Sequence, residues 1–477
     1  MSQKKETTIL VLALLITLGL VCGGVWWFTN RSGVKVGDLL TPNKENPGAT
    51  IPTNQSVQDR KSFGEKTLIP GEVPPAKRAG VEAIAAGSYD KAIANLETAL
   101  RLNRNDPEAR IFLNNARIGK QKSYTIATSV PIGNDPNEAL EILRGVAQAQ
   151  NEINSSGGIK GVLLKVAIAN DDDNPEIARQ IATALVNNPD MLGVVGSNAS
   201  DATLAAGTVY QSGELVAISP TSTSVKLSGF SRYFFRTVPS DYVAARALAN
   251  YMLTLQRKNA AVYFNSKSGY SQSLKSEVVT AVLLGGGQVS SEFDLSNPGF
   301  SAAQSVNQAT KLGAEVLMLA ANVNELDKAL QVVQVNRKRL NLLGGDDVYT
   351  PKTLEVGGDA AVGMVLAVPW HINGDPTSAF PRQSRQLWGA DVNWRTALSY
   401  DATRALSAAL ERNPTRTGVQ QALSLSDFST TGASGTIQFL QSGDRNAPVQ
   451  LVKIFPGSRS GTGYDFVPVS QTQNTQP

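Results

Sequence analysis

Histidine and cysteine are almost missing from this 477-residue chain, which has one of each, His371 and Cys22. That excludes a Cys/His zinc site and an intramolecular disulfide. A histidine-dependent triad would rest on His371 alone, so no enzymatic activity is expected. Charged residues are only 18% of the chain and the net charge is +4. No basic block runs through the body, so nucleic acid is not an expected partner. A phosphate loop is missing too, because no Lys-Ser/Thr follows Gly285-Gly286-Gly287. The acidic run Asp171-Asp172-Asp173 lacks the EF-hand pattern and reads as a solvated turn and helix cap. His371, after an apolar run, reads as a surface or hinge residue. No cofactor and no metal are expected.

One long apolar run is present. Lys4 and Lys5 precede residues 9–28, which are uncharged and end in Trp26-Trp27-Phe28. As a helix this run is about 30 Å long, enough to cross a bilayer core. The aromatic end suits the membrane interface, so residues 1–29 read as a single-pass anchor with the body on the periplasmic or extracellular side. A cleaved export signal is the alternative. Cys22 follows Leu20-Val21, without the small residue of a lipobox, and reads as a buried membrane thiol. Residues 30–75 carry Pro42, Pro47, Pro52, Pro70, Pro74 and Pro75 among polar residues and read as a disordered linker, with a reach of roughly 35–40 Å.

Residues 76–120 show apolar residues at helical spacing, interrupted at Gly87-Ser88 and restarted at Asp106-Pro107. Gly87, Tyr89, Ala92, Ala99 and Pro107 resemble one tetratricopeptide repeat. A lone repeat leaves a face uncovered, so it is expected to dock on the main domain or on a protein partner.

From residue 122 the pattern changes. Short, near-continuous Val/Ile/Leu/Ala runs at 124–130, 163–169, 192–196, 215–219, 260–264, 288–293, 315–319, 340–343 and 362–368 alternate with helical stretches. Such runs are typical of strands buried on both faces of a parallel sheet. The fold class is therefore α/β, with about 350 residues divided between two doubly wound, Rossmann-like lobes. Residues 432–439 and 449–455 read as an antiparallel hairpin around Ser442-Gly443-Asp444. Residues 468–477 read as a polar tail.

The order and spacing of several pieces carry a resemblance. They are the Gly-rich stop at 153–161, Asp171-Asp172, Gly196 with Ser200, residues 220–223, Phe235 to Asp241, Tyr270, and residues 435–443. Together they resemble the type I periplasmic binding proteins, the family of the leucine/isoleucine/valine-binding protein. The resemblance implies three crossovers between the lobes, the first at 236–241, with lobe 1 as 122–240 plus 371–431 and lobe 2 as 241–370 plus 432–467. It implies that Ser200 and Thr223 hold a ligand carboxylate, that the Thr221 carbonyl and Asp346 take an ammonium, and that Asp241 and Tyr270 close from the second lobe. Asp347 lies beside Asp346 and could serve in its place. Asn198 and Asn322 fall where relatives place apolar or aromatic pocket walls, which favours a polar amino acid or another small amide-bearing solute over leucine.

The leading functional expectation is a solute receptor of an ABC importer, with an amino acid as ligand and a membrane permease as partner. The alternative is an envelope regulatory protein that uses the repeat and a ligand-binding-like fold to activate a membrane partner.

Overall fold

A computed structural model describes residues 56–469. The expected anchor with Cys22, the linker up to residue 55 and residues 470–477 lie outside the described residues. Among those described, no helix is long and apolar enough to cross a membrane.

The first lobe is built on a six-stranded sheet. Its strands are β1 (Lys61–Ser62), β2 (Ser123–Val130), β3 (Leu163–Asn170), β4 (Met191–Val195), β5 (Ala217–Ser219) and β6 (Phe234–Arg236). They lie in the order β1-β3-β2-β4-β5-β6, parallel except for β1. The second lobe has β7 (Asn259–Phe264), β8 (Gln288–Asp294), β9 (Val316–Ala320), β10 (Asn341–Gly344), β11 (Val365–Val368), β14 (Gln450–Pro456) and β15 (Tyr464–Pro468). Its order is β15-β14-β11-β10-β9-β7-β8, with β14 and β15 antiparallel at one edge. A separate small ribbon pairs β12 (Thr430–Gly432) with β13 (Gly435–Ile437). Without the edge additions, both sheets show the same doubly wound order, in which the second strand of the lobe lies outside the first. Each sheet therefore has a switch point at its strand carboxyl ends, between β2 and β4 in one lobe and β7 and β9 in the other. The central strands carry the expected apolar burden: Ile126, Ala127, Val166 and Ile168 of lobe 1 and residues 316–320 of lobe 2 are buried.

The helices are α1 (Pro75–Ala85), α2 (Tyr89–Leu102), α3 (Pro107–Ile118), α4 (Pro136–Ser155), α5 (Pro175–Val186), α6 (Ser200–Ser212), α7 (Asp241–Thr254), α8 (Gly269–Leu284), α9 (Ala302–Lys311), α10 (Leu326–Asn336), α11 (Pro351–Ala361), α12 (Phe380–Trp388), α13 (Trp394–Arg412) and α14 (Arg416–Ser424). Local chemistry explains where several begin. Asp106, Asp135 and Asn174 each precede a proline at the first helical position, and each side chain accepts a backbone N–H of the first turn. Helix α13 returns to the first lobe and crosses α4 closely. A Cβ on Gly145 would stand 2.1 Å from the Thr396 carbonyl oxygen, so only glycine allows this approach. Thr396 and Ser399 donate to the carbonyls of Glu141 and Ile142 at 2.8 and 2.9 Å, fixing the pair.

Several sequence expectations change here. Residues 56–75 do not continue a free linker. Strand β1 pairs with the edge of β3, and Arg60 reaches Asp172 at 2.6 Å. The Leu68 and Ile69 N–H groups donate to Glu108, whose carboxylate is also paired with Lys77 at 2.8 Å. A two-residue edge strand held by backbone pairing leaves no apolar periodicity to read. The 432–455 hairpin is reduced to a short antiparallel turn, in which Phe439 bridges Arg445 around Ser442-Gly443-Asp444. Strand β13 pairs with β12, and β14 pairs with β15 and β11. Buried Asp401 on α13 holds Arg445 at 3.4 Å and accepts the Ala433 N–H, so residues 432–445 stay with the first lobe. The chain crosses for the last time after residue 445, later than the expected boundary at 432.

Helix α3 packs on α4 and β3 and buries Ile111, Phe112 and Leu113. Asn115 donates to the Val166 carbonyl and accepts from Gln150, which ties α3 to the first lobe by polar contacts as well. His371 is buried at the second crossover and not on the surface. Its Nδ1 accepts the Asn373 N–H at 3.1 Å, and burial lowers its pKa to about 4.

Candidate ligand cleft

The loops that leave the carboxyl ends of both sheets meet between the lobes. Three contacts bring the walls together. Asp201 at the start of α6 accepts the Gly269 N–H of α8 at 2.8 Å. Ser273 accepts the Val225 N–H at 3.0 Å. Arg395 of lobe 1 holds Asp347 of lobe 2 at 3.0 Å.

On the first wall, Gly196 follows β4. Its φ of +132° and its contact with the Ser129 carbonyl, 2.4 Å from where a Cβ would be, require glycine. The chain then turns into α6, whose first residue is Ser200. Ser200 Oγ accepts the Ser224 N–H at 3.3 Å and so steadies the neighbouring loop. Thr221 Oγ1 donates to the Asn198 carbonyl at 2.9 Å. Arg236, fully buried, supports the same loop. It donates to the carbonyls of Ser222 and Ser224 at 3.1 and 2.9 Å and to Asp444 at 2.6 Å. This clamp positions Thr223, whose hydroxyl is buried near the Asp241 carboxyl without a hydrogen bond of good geometry.

On the second wall, Asp241 opens α7 immediately after the first crossover, and its N–H donates to the Thr223 carbonyl at 2.9 Å. Its side chain is 1% exposed, and Oδ2 has no hydrogen bond of good geometry, although the Ser273 and Thr223 hydroxyls lie nearby. Burial raises its pKa to about 7, with the charge of Asp346 adding to the shift. Tyr270 donates to Asp346 at 2.6 Å. Burial and the Asp346 charge push the phenol well above its usual range, and burial raises Asp346. Asn322 accepts from Asn265 at 2.8 Å, both from loops of the second lobe.

Thr223, Asp241, Tyr270 and Asp346 are thus part of one buried layer. Ser200, Thr221, Asn198 and Asn322 make internal hydrogen bonds that shape it. The sequence reading missed three members. Glu138, in the first turn of α4, binds Arg395 and accepts from Asn198 at 2.7 Å. Asp173 accepts the other Asn198 amide hydrogen at 2.9 Å and the Ala199 N–H at 2.8 Å. Arg395 lies over the Trp394 ring, 4.2 Å from its centroid. The 171–173 turn is therefore not simply a solvated cap. Asp171 is fully buried on Ser129 at 2.7 Å, Asp172 is held by Arg60, and Asp173 faces the cleft. Acids in the first turn of a helix or after a strand are common, so no sequence signal marked Glu138 or Asp173. Among the described residues, no group of three or more His, Cys, Asp or Glu side chains is arranged to hold a metal ion.

Two doubly wound lobes, three crossings and a buried polar layer between both switch points define a two-lobed α/β fold. A family model described as periplasmic binding protein matches residues 135–460. The chain belongs to the periplasmic binding protein family, a family of solute binders and not of enzymes. Among its relatives, the leucine-specific-binding protein of Salmonella typhimurium is 24% identical over 310 residues, covering 63% of this chain and 82% of that protein. The leucine-, isoleucine-, valine-, threonine- and alanine-binding protein of Pseudomonas aeruginosa is 23% identical over 309 residues, 63% of this chain and 81% of its own length. A leucine-binding protein from Thermotoga maritima superposes with a TM-score of 0.64 at 20% identity, covering 72% of this chain and 97% of that one. A solute-binding protein from R. palustris in complex with 4-hydroxybenzoate gives 0.64 at 14% identity, covering 73% and 96%. At such identities these structures establish the shared fold.

Proposed function

We propose that this protein is the solute receptor of an ABC importer, closing on an α-amino acid between its lobes and presenting it to a membrane permease. The observation that carries this reading is a pair of buried oxygens from opposite lobes, Thr223 Oγ1 and Asp241 Oδ2, which lie near each other without a hydrogen bond of good geometry. Buried polar atoms ordinarily have partners, and a zwitterion supplies the missing ones. In this assignment the ligand carboxylate takes the Thr223 hydroxyl and the backbone N–H groups at the start of α6, aided by the positive end of that helix. The ammonium takes Asp241, with Asp346, Tyr270 and the Thr221 carbonyl around it. Ser200 keeps the Thr223 loop in register, and Asn198 and Asn322 form polar walls. Charge-assisted bonds of this kind contribute ~1.5–3 kcal/mol each when shielded from water. Splitting them across the lobes makes closure depend on ligand, with the crossovers as hinges.

The same reading places residues 1–29 as the membrane anchor and residues 76–120 as a module docked on the first lobe. The burial of Phe112 and its neighbours against that lobe favours this over an envelope regulator that offers the helices to a partner. Isothermal calorimetry of the full-length chain against a panel of amino acids tests the proposal. Saturable binding that is lost in Thr223→Ala and Asp241→Ala is expected; silence across the panel would refute it.

A further inference from the structure

The second lobe has an apolar, basic end that the candidate cleft does not use. Strands β7, β8, β9 and β10 start in register, with Asn259 beside Gln288, Ala260 beside Val316 and Val316 beside Asn341. Segments 255–258, 283–287, 311–315 and 337–340 lead into these strands. They therefore share one end of the sheet, opposite the strand carboxyl ends that form the cleft. Contacts between the segments close this end. The Lys258 carbonyl accepts the Gln288 N–H at 2.7 Å, and the Glu315 carbonyl accepts the Asn341 N–H at 3.1 Å. The Asn259 side-chain amide donates to the Leu312 carbonyl at 3.1 Å.

Four leucines are exposed here: Leu255 (36%), Leu283 (56%), Leu284 (76%) and Leu312 (49%). They are four of the nine large exposed hydrophobic residues among those described, so the exposure is gathered and not scattered. The same segments hold six cations, Arg257, Lys258, Lys311, Arg337, Lys338 and Arg339, and one acid, Glu315. Glu315 pairs with Arg257, and Asp359 from the next segment pairs with Lys338. Cations at helix C-termini complement the macrodipole, which accounts for their sign. It does not account for the leucines beside them. Single exposed leucines are ordinary, but four on one basic end mark an interaction surface. The leucines stand on three separate helix ends. A fluid bilayer accommodates separate side chains, whereas a protein partner needs a matched surface. Apolar side chains in the acyl boundary and Lys/Arg at the headgroups are the two parts of binding to an anionic membrane. We infer that this end of the second lobe rests on an anionic lipid surface. The cleft, at the other end of the sheet, stays clear of the bilayer.

Because the proposed anchor would attach the chain to any bilayer, the test reads this end locally. Full-length protein with Cys22→Ala and Leu284→Cys, carrying an environment-sensitive fluorophore, is reconstituted in phosphatidylglycerol or in phosphatidylcholine vesicles. A blue shift in phosphatidylglycerol alone, weakened by salt, is expected. The same fluorophore at Leu425→Cys, an exposed position of the first lobe near Asp427, should not shift. Lys258→Glu and Lys311→Glu should each lower the docked-to-free ratio at least about fivefold. Amide exchange at 283–287 in the unmodified chain gives the same reading without a variant, with protection in phosphatidylglycerol only. Equal emission in both lipids, an equal shift at Leu425→Cys, or exchange at 283–287 unchanged by lipid would overturn the inference. Protection that appears only when membrane proteins are added would also overturn it, in favour of a protein partner.

Discussion

Asp241 carries a stability cost that the proposed ammonium-binding role would explain. In an unfolded chain its carboxyl would titrate near 3.8, and in the fold burial raises this to about 7. The folded state therefore holds the proton more tightly between these values. Stability falls as pH rises from about 4 towards 7, and the cost is complete above the folded pKa. A shift of about three units corresponds to an upper bound of ~4 kcal/mol at pH 8. Asp241→Asn keeps the shape and removes the ionisation. It should make the ligand-free protein more stable at pH 8 by roughly 2–4 kcal/mol, a rise of about 2–5 °C in melting temperature for a chain of this size. At pH 5, where Asp241 is protonated in the fold, most of the gain should disappear. The same variant should lose solute binding, because an amide cannot balance an ammonium. Thermal melts of the parent and variant at both pH values check this. A variant that is less stable at pH 8, or a difference that does not change with pH, would refute the reasoning.

Other expectations rest on single contacts. Thr223→Ala removes a hydroxyl that makes no hydrogen bond of good geometry, so it should change the melting temperature little and abolish solute-induced stabilisation, checked by thermal shift. Phe112→Ala should cost ~3–5 kcal/mol in urea denaturation, because the ring is fully buried where α3 meets the first lobe. Arg445→Ala strands the buried carboxylate of Asp401 and should cost roughly 3–5 kcal/mol, measured the same way.

The alternation of buried strands with helices was legible in the sequence because parallel sheets need continuous apolar strands. Helix α13 was read at its observed bounds, Trp394–Arg412, from its apolar stripe. Thr223, Asp241 and Tyr270 came from the family resemblance, since Ser, Thr and Asp at helix starts are equally ordinary caps. Strand β1 was not legible because it is two residues long and held by backbone pairing. Residues 432–445 were assigned to the wrong lobe because their place depends on two long-range ion pairs, Asp401 with Arg445 and Arg236 with Asp444, which no local pattern encodes. Glu138, Asp173 and Arg395 were missed for the same reason. They lie far apart in sequence and acquire their role only when α4, the turn after β3 and α13 meet.

The central claim is that a solute held by both walls closes the clamp. Hydrogen–deuterium exchange of the full-length chain, with and without the tightest-binding amino acid, tests it most directly. The account predicts simultaneous protection of residues 197–203 and 221–225 in one lobe and of 241–245, 269–273 and 346–348 in the other. Protection confined to one lobe, or unchanged exchange in both at saturating solute, would contradict it.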